Sequence, residues 1–254
     1  MLDGVAFIDP KRSMVDIIQA VGRVIRKAAG KPIGSPALID KQTRAFGDMI
    51  TYMDHLVGKI FSRLREHGLD RNTLVLFTGD NGTGRPITSK LPGMNLQGGK
   101  GTMTEAGSRV PLLAWWPGTI EPGVCEQLFC LADVLPTVTS VAGIPLSRRL
   151  DGMDLSHVLL GKEGKDREQV FINFGRGYFV RENRFRLNQD GKLYDIPVTS
   201  DKERYSEKVT TDPAHEVDRL RLQADLDQFL AIEREISPEL KSGKKSKTSR
   251  KKRP

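Results

Sequence analysis

Leu74-Val75-Leu76-Phe77-Thr78-Gly79-Asp80-Asn81-Gly82 reads as a strand that ends in oxygen ligands. Four apolar residues in succession, with no polar alternation, fit a strand covered on both faces, the pattern of a parallel sheet between helices. Such sheets bind ligands in the crevice beyond the carboxyl ends of their strands. Asp80 and Asn81 stand just past that end and offer a carboxylate and an amide carbonyl, hard donors suited to calcium or magnesium. A plain turn is the competing reading, because Asp, Asn and Gly favour turns. Downstream, Gly98-Gly99-Lys100-Gly101-Thr102 sets a cation among glycines, where bare backbone lets an anion approach closely. A second apolar strand candidate, Val110 to Trp115, closes on Pro117-Gly118.

Four pieces in order then carry a resemblance: Gly79-Asp80-Asn81-Gly82, Gly99-Lys100-Gly101-Thr102, Glu105-Ala106-Gly107-Ser108-Arg109-Val110-Pro111 and Trp116-Pro117-Gly118. They resemble the C-terminal half of the sulfatase family, within the alkaline-phosphatase-like superfamily. That family shows Ser-Asp-Asn-Gly, Gly-Lys-Gly, Glu-Gly-Gly-x-Arg-Val-Pro and Trp-Pro-Gly at these points. Gly79 for Ser and Ala106 for Gly are the departures, and neither removes a ligand. The resemblance spans residues 42–198. It implies an α/β fold: the C-terminal part of a parallel or mixed sheet sandwiched by helices, followed by a small antiparallel-sheet α+β subdomain. It also implies an arylsulfatase-like hydrolase of sulfate esters, acting on a small sulfate ester or a sulfated polysaccharide. Asp80 and Asn81 would be ligands of calcium, in preference to magnesium, and Lys100 would contact a sulfate oxygen or the bridging ester oxygen.

The family's nucleophile is a formylglycine made from the Cys of a Cys-x-Pro/Ala-x-Arg motif upstream of the metal strand. Cys125 begins Cys-Glu-Gln-Leu-Phe and Cys130 begins Cys-Leu-Ala-Asp-Val, so neither provides it. The expectation is a truncated representative that is inactive alone. A phosphatase or phosphonate hydrolase of the same superfamily is the alternative, and the missing nucleophile would separate the two.

Composition adds bounds. The 254 residues carry a formal net charge of +8, with 38% hydrophobic and 28% charged residues. Residues 241–254 hold eight Lys and Arg and no acid, which equals the whole net charge. The basic pI therefore describes a tail, expected to be disordered, that is either merely solvated or adheres to a polyanion such as nucleic acid or a sulfated polysaccharide. Two cysteines make no disulfide framework and read as buried thiols. No run approaches a membrane span, and no export signal is visible, which leaves the compartment open.

The chain divides by pattern into residues 1–35, 36–148, 149–236 and 237–254. In the first, Val5-Ala6-Phe7-Ile8 is a strand candidate and Met14 to Ala29 a helix candidate. Its Gln19, Arg23 and Arg26 lie on one helical face and resemble the Gln-x-x-Gly-Arg-x-x-Arg motif of superfamily-two helicases, whose arginines reach nucleotide phosphates. No phosphate-binding loop accompanies them: Met94 and Gly101 occupy positions that such a loop gives to Gly and to Ser or Thr. A fusion, with its junction between Gly30 and Gln42, and a non-enzymatic nucleic-acid-associated chain follow from that reading. An ordinary amphipathic helix is the simpler one.

Residues 36–148 open on a helix from Gln42 to Gly68, with Ile50, Met53, Leu56, Val57, Ile60, Phe61 and Leu64 at spacings of three and four. Gly82 to Gly98 reads as an irregular loop lining the cleft. Phe129 to Val141 reads as a helix with Leu131, Val134, Leu135, Val138 and Val141 along one side. Four short strands are expected between Val170 and Tyr194, with a hairpin turn at Asp190-Gly191. A last helix, Pro213 to Ile236, is capped by Asp212 and presents Val217, Leu220, Ala224, Phe229 and Leu230. His157 and the other histidines stand without metal-ligand spacing.

Overall fold

A computed structural model describes residues 5–8, 41–91, 93–147, 150–174, 177–196 and 205–236. The helix expected at Met14 to Ala29, with Gln19, Arg23 and Arg26, lies outside the described residues, as does the basic tail. In chain order the elements are β1 (Val5–Ile8), α1 (Lys41–Glu66), β2 (Val75–Thr78), β3 (Thr88–Leu91), β4 (Met94–Gln97), α2 (Glu105–Ser108), β5 (Leu112–Trp115) and β6 (Gly123–Cys125). There follow α3 (Val134–Val141), α4 (Ser156–Leu160), β7 (Gln169–Asn173), β8 (Tyr178–Glu182), β9 (Phe185–Asn188), β10 (Leu193–Asp195), β11 (Lys208–Val209) and α5 (Glu216–Ile236).

The first sheet runs in the order β2-β5-β1-β6. It is mixed: β1 pairs parallel with β6, while β5 runs antiparallel to both β1 and β2. The parallel reading of the apolar run therefore fails at its own neighbour. Val75 to Thr78 is also half-buried throughout, not covered on both faces, and among the described residues β2 stands at the sheet edge with β5 as its partner. The apolar density sits one strand over, where Leu112, Ala114 and Trp115 are buried. Phe61 of α1 stacks on Trp115 at 4.5 Å between ring centroids, and the Arg65 guanidinium lies 5.6 Å from the same ring.

Helix α1 stops where its sequence predicts, with Gly68 in the left-handed region at φ 64° and its N–H donated to the Arg65 carbonyl at 3.0 Å. Its apolar positions divide into two stripes. Ile50, Met53, Val57, Phe61 and Leu64 are half-buried, whereas Leu56 and Ile60 join Met49 and Tyr52 on an exposed stripe.

The second sheet is antiparallel throughout, in the order β11-β10-β9-β8-β7. The Asp190-Gly191 turn joins β9 to β10, with Gly191 at φ 75° and its N–H on the Asn188 carbonyl. Helix α5 covers this sheet. The Asp212 carboxylate accepts the Ala214 N–H at 2.9 Å, as a cap should, with Pro213 following. The covering face differs from the expected one. Val217 and Leu220 are exposed, and the core consists of Leu222 and Leu226 against Val180, Phe185, Leu187 and Leu193. Phe229 does pack, stacked on Phe171 at 4.9 Å.

The 129–141 segment is a short 3-10 turn, Leu131–Asp133, running into α3. Leu131 and Leu135 are exposed, while Asp133, Pro136 and Thr137 face inward. Polar anchoring outweighs the apolar pattern here. Thr137 Oγ1 accepts the Leu155 N–H at 3.0 Å, and Asp133 is drawn inward by Arg167.

Candidate functional site

Past Thr78 the backbone turns into Gly79, whose N–H donates to the Pro111 carbonyl at 3.3 Å. Asp80 is exposed and Asn81 half-buried. Asn81 Nδ2 donates to Asp80 Oδ2 at 2.6 Å, so the two side chains already lie together. A hard cation would draw on the second Asp80 oxygen and the Asn81 carbonyl oxygen. These are two of the six to eight oxygens calcium takes. Among the described residues no group of three or more His, Cys, Asp or Glu stands together to complete a metal site.

Lys100 is brought to the same place through the backbone. Its N–H donates to the Thr83 carbonyl at 2.9 Å, two residues beyond Asn81. Gly82 N–H donates to the Gly107 carbonyl at 2.9 Å. Three backbone segments meet here without side chains between them. A Cβ on Gly82 would overlap the Ala106 carbonyl, one on Gly98 would strike the Thr83 and Gly84 carbonyls, and one on Gly99 would lie 2.6 Å from the Ala106 carbonyl carbon. The glycines that identify the motif are therefore packing requirements of the loop that presents Lys100. The Lys100 side chain itself is exposed.

Two groups around this loop escaped the sequence reading. Arg85 donates from Nε to the Lys100 carbonyl at 3.1 Å and from Nη2 to the Gly101 carbonyl at 2.9 Å. Gly101, in the left-handed region at φ 83°, turns its carbonyl to that guanidinium. The Gly82 to Gly98 stretch that holds Arg85 is not wholly irregular: β3 and β4 form a hairpin within it, turned at Gly93 with φ 77°. Alternation over four residues was the available signal, masked by the glycines and prolines around it.

The second group is Glu105. Only 4% exposed, it accepts Arg181 Nε at 3.0 Å and lies 3.7 Å from Arg109 and 3.9 Å from Arg186. Burial pushes its carboxyl pKa up, but Arg181, then Arg109 and Arg186, outweigh that and hold it at about 2. Glu105 and Arg109 both belong to the quoted motif, yet nothing local marks the other two partners, Arg181 and Arg186, which lie 76 residues or more away.

Neither cysteine is in a disulfide, and both are half-buried where buried thiols were expected. The Cys130 thiol is pushed up in pKa by burial and next by Asp133, which makes it a poor nucleophile. His157 does have a partner, Asp166 Oδ1 at 3.0 Å from Nε2.

The family model for sulfatases matches residues 12–144, more than half of the chain, and the chain belongs to the sulfatase family. The match extends N-terminally beyond the boundary near residue 42 that the motifs indicate, and so overlaps the segment of helicase resemblance. Arylsulfatase A of Homo sapiens is 44% identical over 132 residues, covering 50% of this chain and 25% of that protein. N-acetylgalactosamine-6-sulfatase of Canis lupus familiaris is 39% identical over 137 residues, covering 52% and 26%. The chain thus spans about a quarter of the length of these curated relatives. In fold it is similar to the phosphonate monoester hydrolase of Agrobacterium radiobacter, with a TM-score of 0.55 at 24% identity over 73% of this chain and 40% of that one.

Proposed function

We propose that this chain carries part of a calcium-dependent sulfate-ester hydrolase site, in which Asp80 and Asn81 contribute two cation ligands and Lys100 holds the sulfuryl group. The observation that carries the reading is the Lys100 N–H bond to the Thr83 carbonyl, which seats the lysine loop against the strand end bearing Asp80 and Asn81. The donor set fits a hard cation, since both groups present oxygen and lie side by side. Bound there, the cation would polarise the ester and offset charge developing in the transition state. Lys100, a point charge with three donors, suits a tetrahedral oxyanion. The family favours sulfate over phosphonate esters, although the fold serves both.

Neither cysteine lies in a formylglycine motif, so the purified 254-residue chain is expected to show no aryl-sulfate turnover above a Lys100→Ala control. Binding is the direct test. Lysine acylation read by mass spectrometry should show Lys100 slowed at least about two-fold by inorganic sulfate with calcium, while exposed Lys90 is unaffected. Asp80→Ala with Asn81→Ala should abolish the calcium part of that protection. Equal acylation with and without the ions would sink the reading.

The same chemistry makes a sulfated polysaccharide the natural partner of residues 241–254, with their eight basic residues and no acid. Deleting them should lower the salt needed to elute the protein from heparin, because each contact releases counterions. An unchanged elution point would exclude the tail from binding.

A further inference from the structure

We infer that Arg181 and Arg186 are positioning residues for the Lys100 loop, acting through Glu105. The inference deepens the functional reading above, since it concerns what holds the lysine in place. Arg181 on β8 and Arg186 on β9 stand directly opposite each other in the sheet register. They are 7% and 1% exposed. Like charges opposed across a ladder repel, and burial deepens the cost unless each is paired. The compensating charge comes from outside the sheet. Glu105, first residue of α2, sits over both guanidinium groups, at 3.0 Å from Arg181 and 3.9 Å from Arg186.

A second carboxylate closes the cluster. Glu207 accepts Arg186 Nη2 at 2.9 Å, and its other oxygen accepts the Glu105 N–H. Among the described residues Glu207 is the one non-glycine with positive φ, at 37°. A strained backbone persists only where its surroundings over-determine it. Here the surroundings are these two hydrogen bonds, one to the sheet and one to the start of α2.

From Glu105 the bonds continue toward Lys100. Thr104 Oγ1 and Thr102 Oγ1 share a hydrogen bond of 2.6 Å, and Thr102 Oγ1 donates to the Gly99 carbonyl at 2.7 Å. Gly107 of α2 packs against Gly99 so closely that a Cβ would overlap the Gly99 and Thr102 carbonyls. Lys100 is thus fixed on one side by Thr83 and Arg85 and on the other by a threonine ladder whose foot is Glu105. An ordinary buried ion cluster would affect stability alone. A positioning cluster has a local signature, because loosening its foot frees the ladder while the core stays closed.

Hydrogen exchange followed by mass spectrometry distinguishes the two in the full chain. Two variants that leave the sheet's apolar core untouched are suited to this: Arg181→Lys, which retains the charge but loses the fork, and Glu207→Gln, which can still accept the Glu105 N–H but no longer neutralises Arg186. Each should raise exchange in peptides covering residues 99–105 by about tenfold, while peptides bearing Leu187, Leu222 and Leu226 keep the parent's protection. Unchanged exchange at 99–105, or a rise matched by the core peptides, would overturn the inference. Lys100 acylation with sulfate and calcium, run in parallel, separates the two readings. Absence of protection in the parent protein counts against the hydrolase reading alone, and the exchange result stands by itself.

Discussion

Asp133→Ala should lower the stability of the fold by about 3–5 kcal/mol, the cost of breaking a buried charge pair from one side. Asp133 is fully buried and accepts four hydrogen bonds: from Arg167 Nε at 2.8 Å, from Arg167 Nη2, from the Cys130 N–H at 2.8 Å and from the Met153 N–H at 2.8 Å. Alanine strands the Arg167 guanidinium in a nearly closed site and leaves two amides without their acceptor. The effect spreads, because these bonds draw three segments together: the entry to α3, the turn at Asp151-Gly152 and the approach to β7. Gly152 packs so tightly on the Ala132 carbonyl that a Cβ would overlap it, so the turn cannot shift to compensate. In urea the midpoint should fall with an unchanged slope. The paired replacement Asp133→Leu with Arg167→Met should recover the part of the loss due to the stranded charge, since removing both charges also removes both desolvation costs, while the Cys130 and Met153 amides still lack their acceptor. A single-variant loss under about 1 kcal/mol would show that solvent reaches this site.

How far the sequence reaches is clearest from individual residues. Gly68, Asp212 and Gly191 act where they should, because a helix stop, a cap and a hairpin turn are each settled within a few residues. The order of motif pieces from Gly79 to Gly118 identified the family, since backbone-to-backbone packing leaves Gly82, Gly98, Gly99 and Gly107 no alternative. Strand direction did not follow from composition. Leu112 to Trp115 is as apolar as a parallel strand, yet it runs antiparallel to both neighbours. Its burial comes from what covers it, and the run of residues does not specify pairing.

Helix faces failed for a related reason. Leu131 and Leu135 fit an apolar stripe, but Asp133, one position out of phase, is held by Arg167 far along the chain and sets the rotation of the turn. Likewise Val217 and Leu220 satisfy the period of α5 while Leu222 and Leu226 do the packing. In the 131–141 segment a buried ion pair overrides the hydrophobic period, whereas the ion pairs of α5 are partly exposed and packing against β8 and β9 selects its face. Of the candidate site, Asp80, Asn81 and Lys100 could be named because each lies in a short motif. Arg85, Arg181 and Arg186 were not, because a long-range arginine has no local signature, and in the sequence alone all three resemble surface charge.

The buried Glu105 cluster should also make the fold acid-labile in a defined window. The carboxyl is held at about 2 against an ordinary 4.5: burial opposes ionisation, and Arg181, Arg109 and Arg186 together overcome it. A folded-state pKa below the unfolded one stabilises the protein above the unfolded value, and that stabilisation is lost as pH falls through the folded value. The window therefore opens near pH 5 and closes near pH 2, and the whole contribution is about 3 kcal/mol at neutral pH. The other lowered carboxyls, Asp154, Asp190 and Glu216, are held by hydrogen bonds at the exposed surface and contribute little after solvent screening. Urea titrations of the parent and of Glu105→Gln at stepped pH isolate the cluster. The parent should be the more stable at pH 7, and the gap should shrink as pH falls from about 5 toward 2, because the protonated carboxyl and the amide then face the same guanidinium groups. A gap that stays constant across that range would mean that Glu105 stabilises the fold by packing and not by its charge.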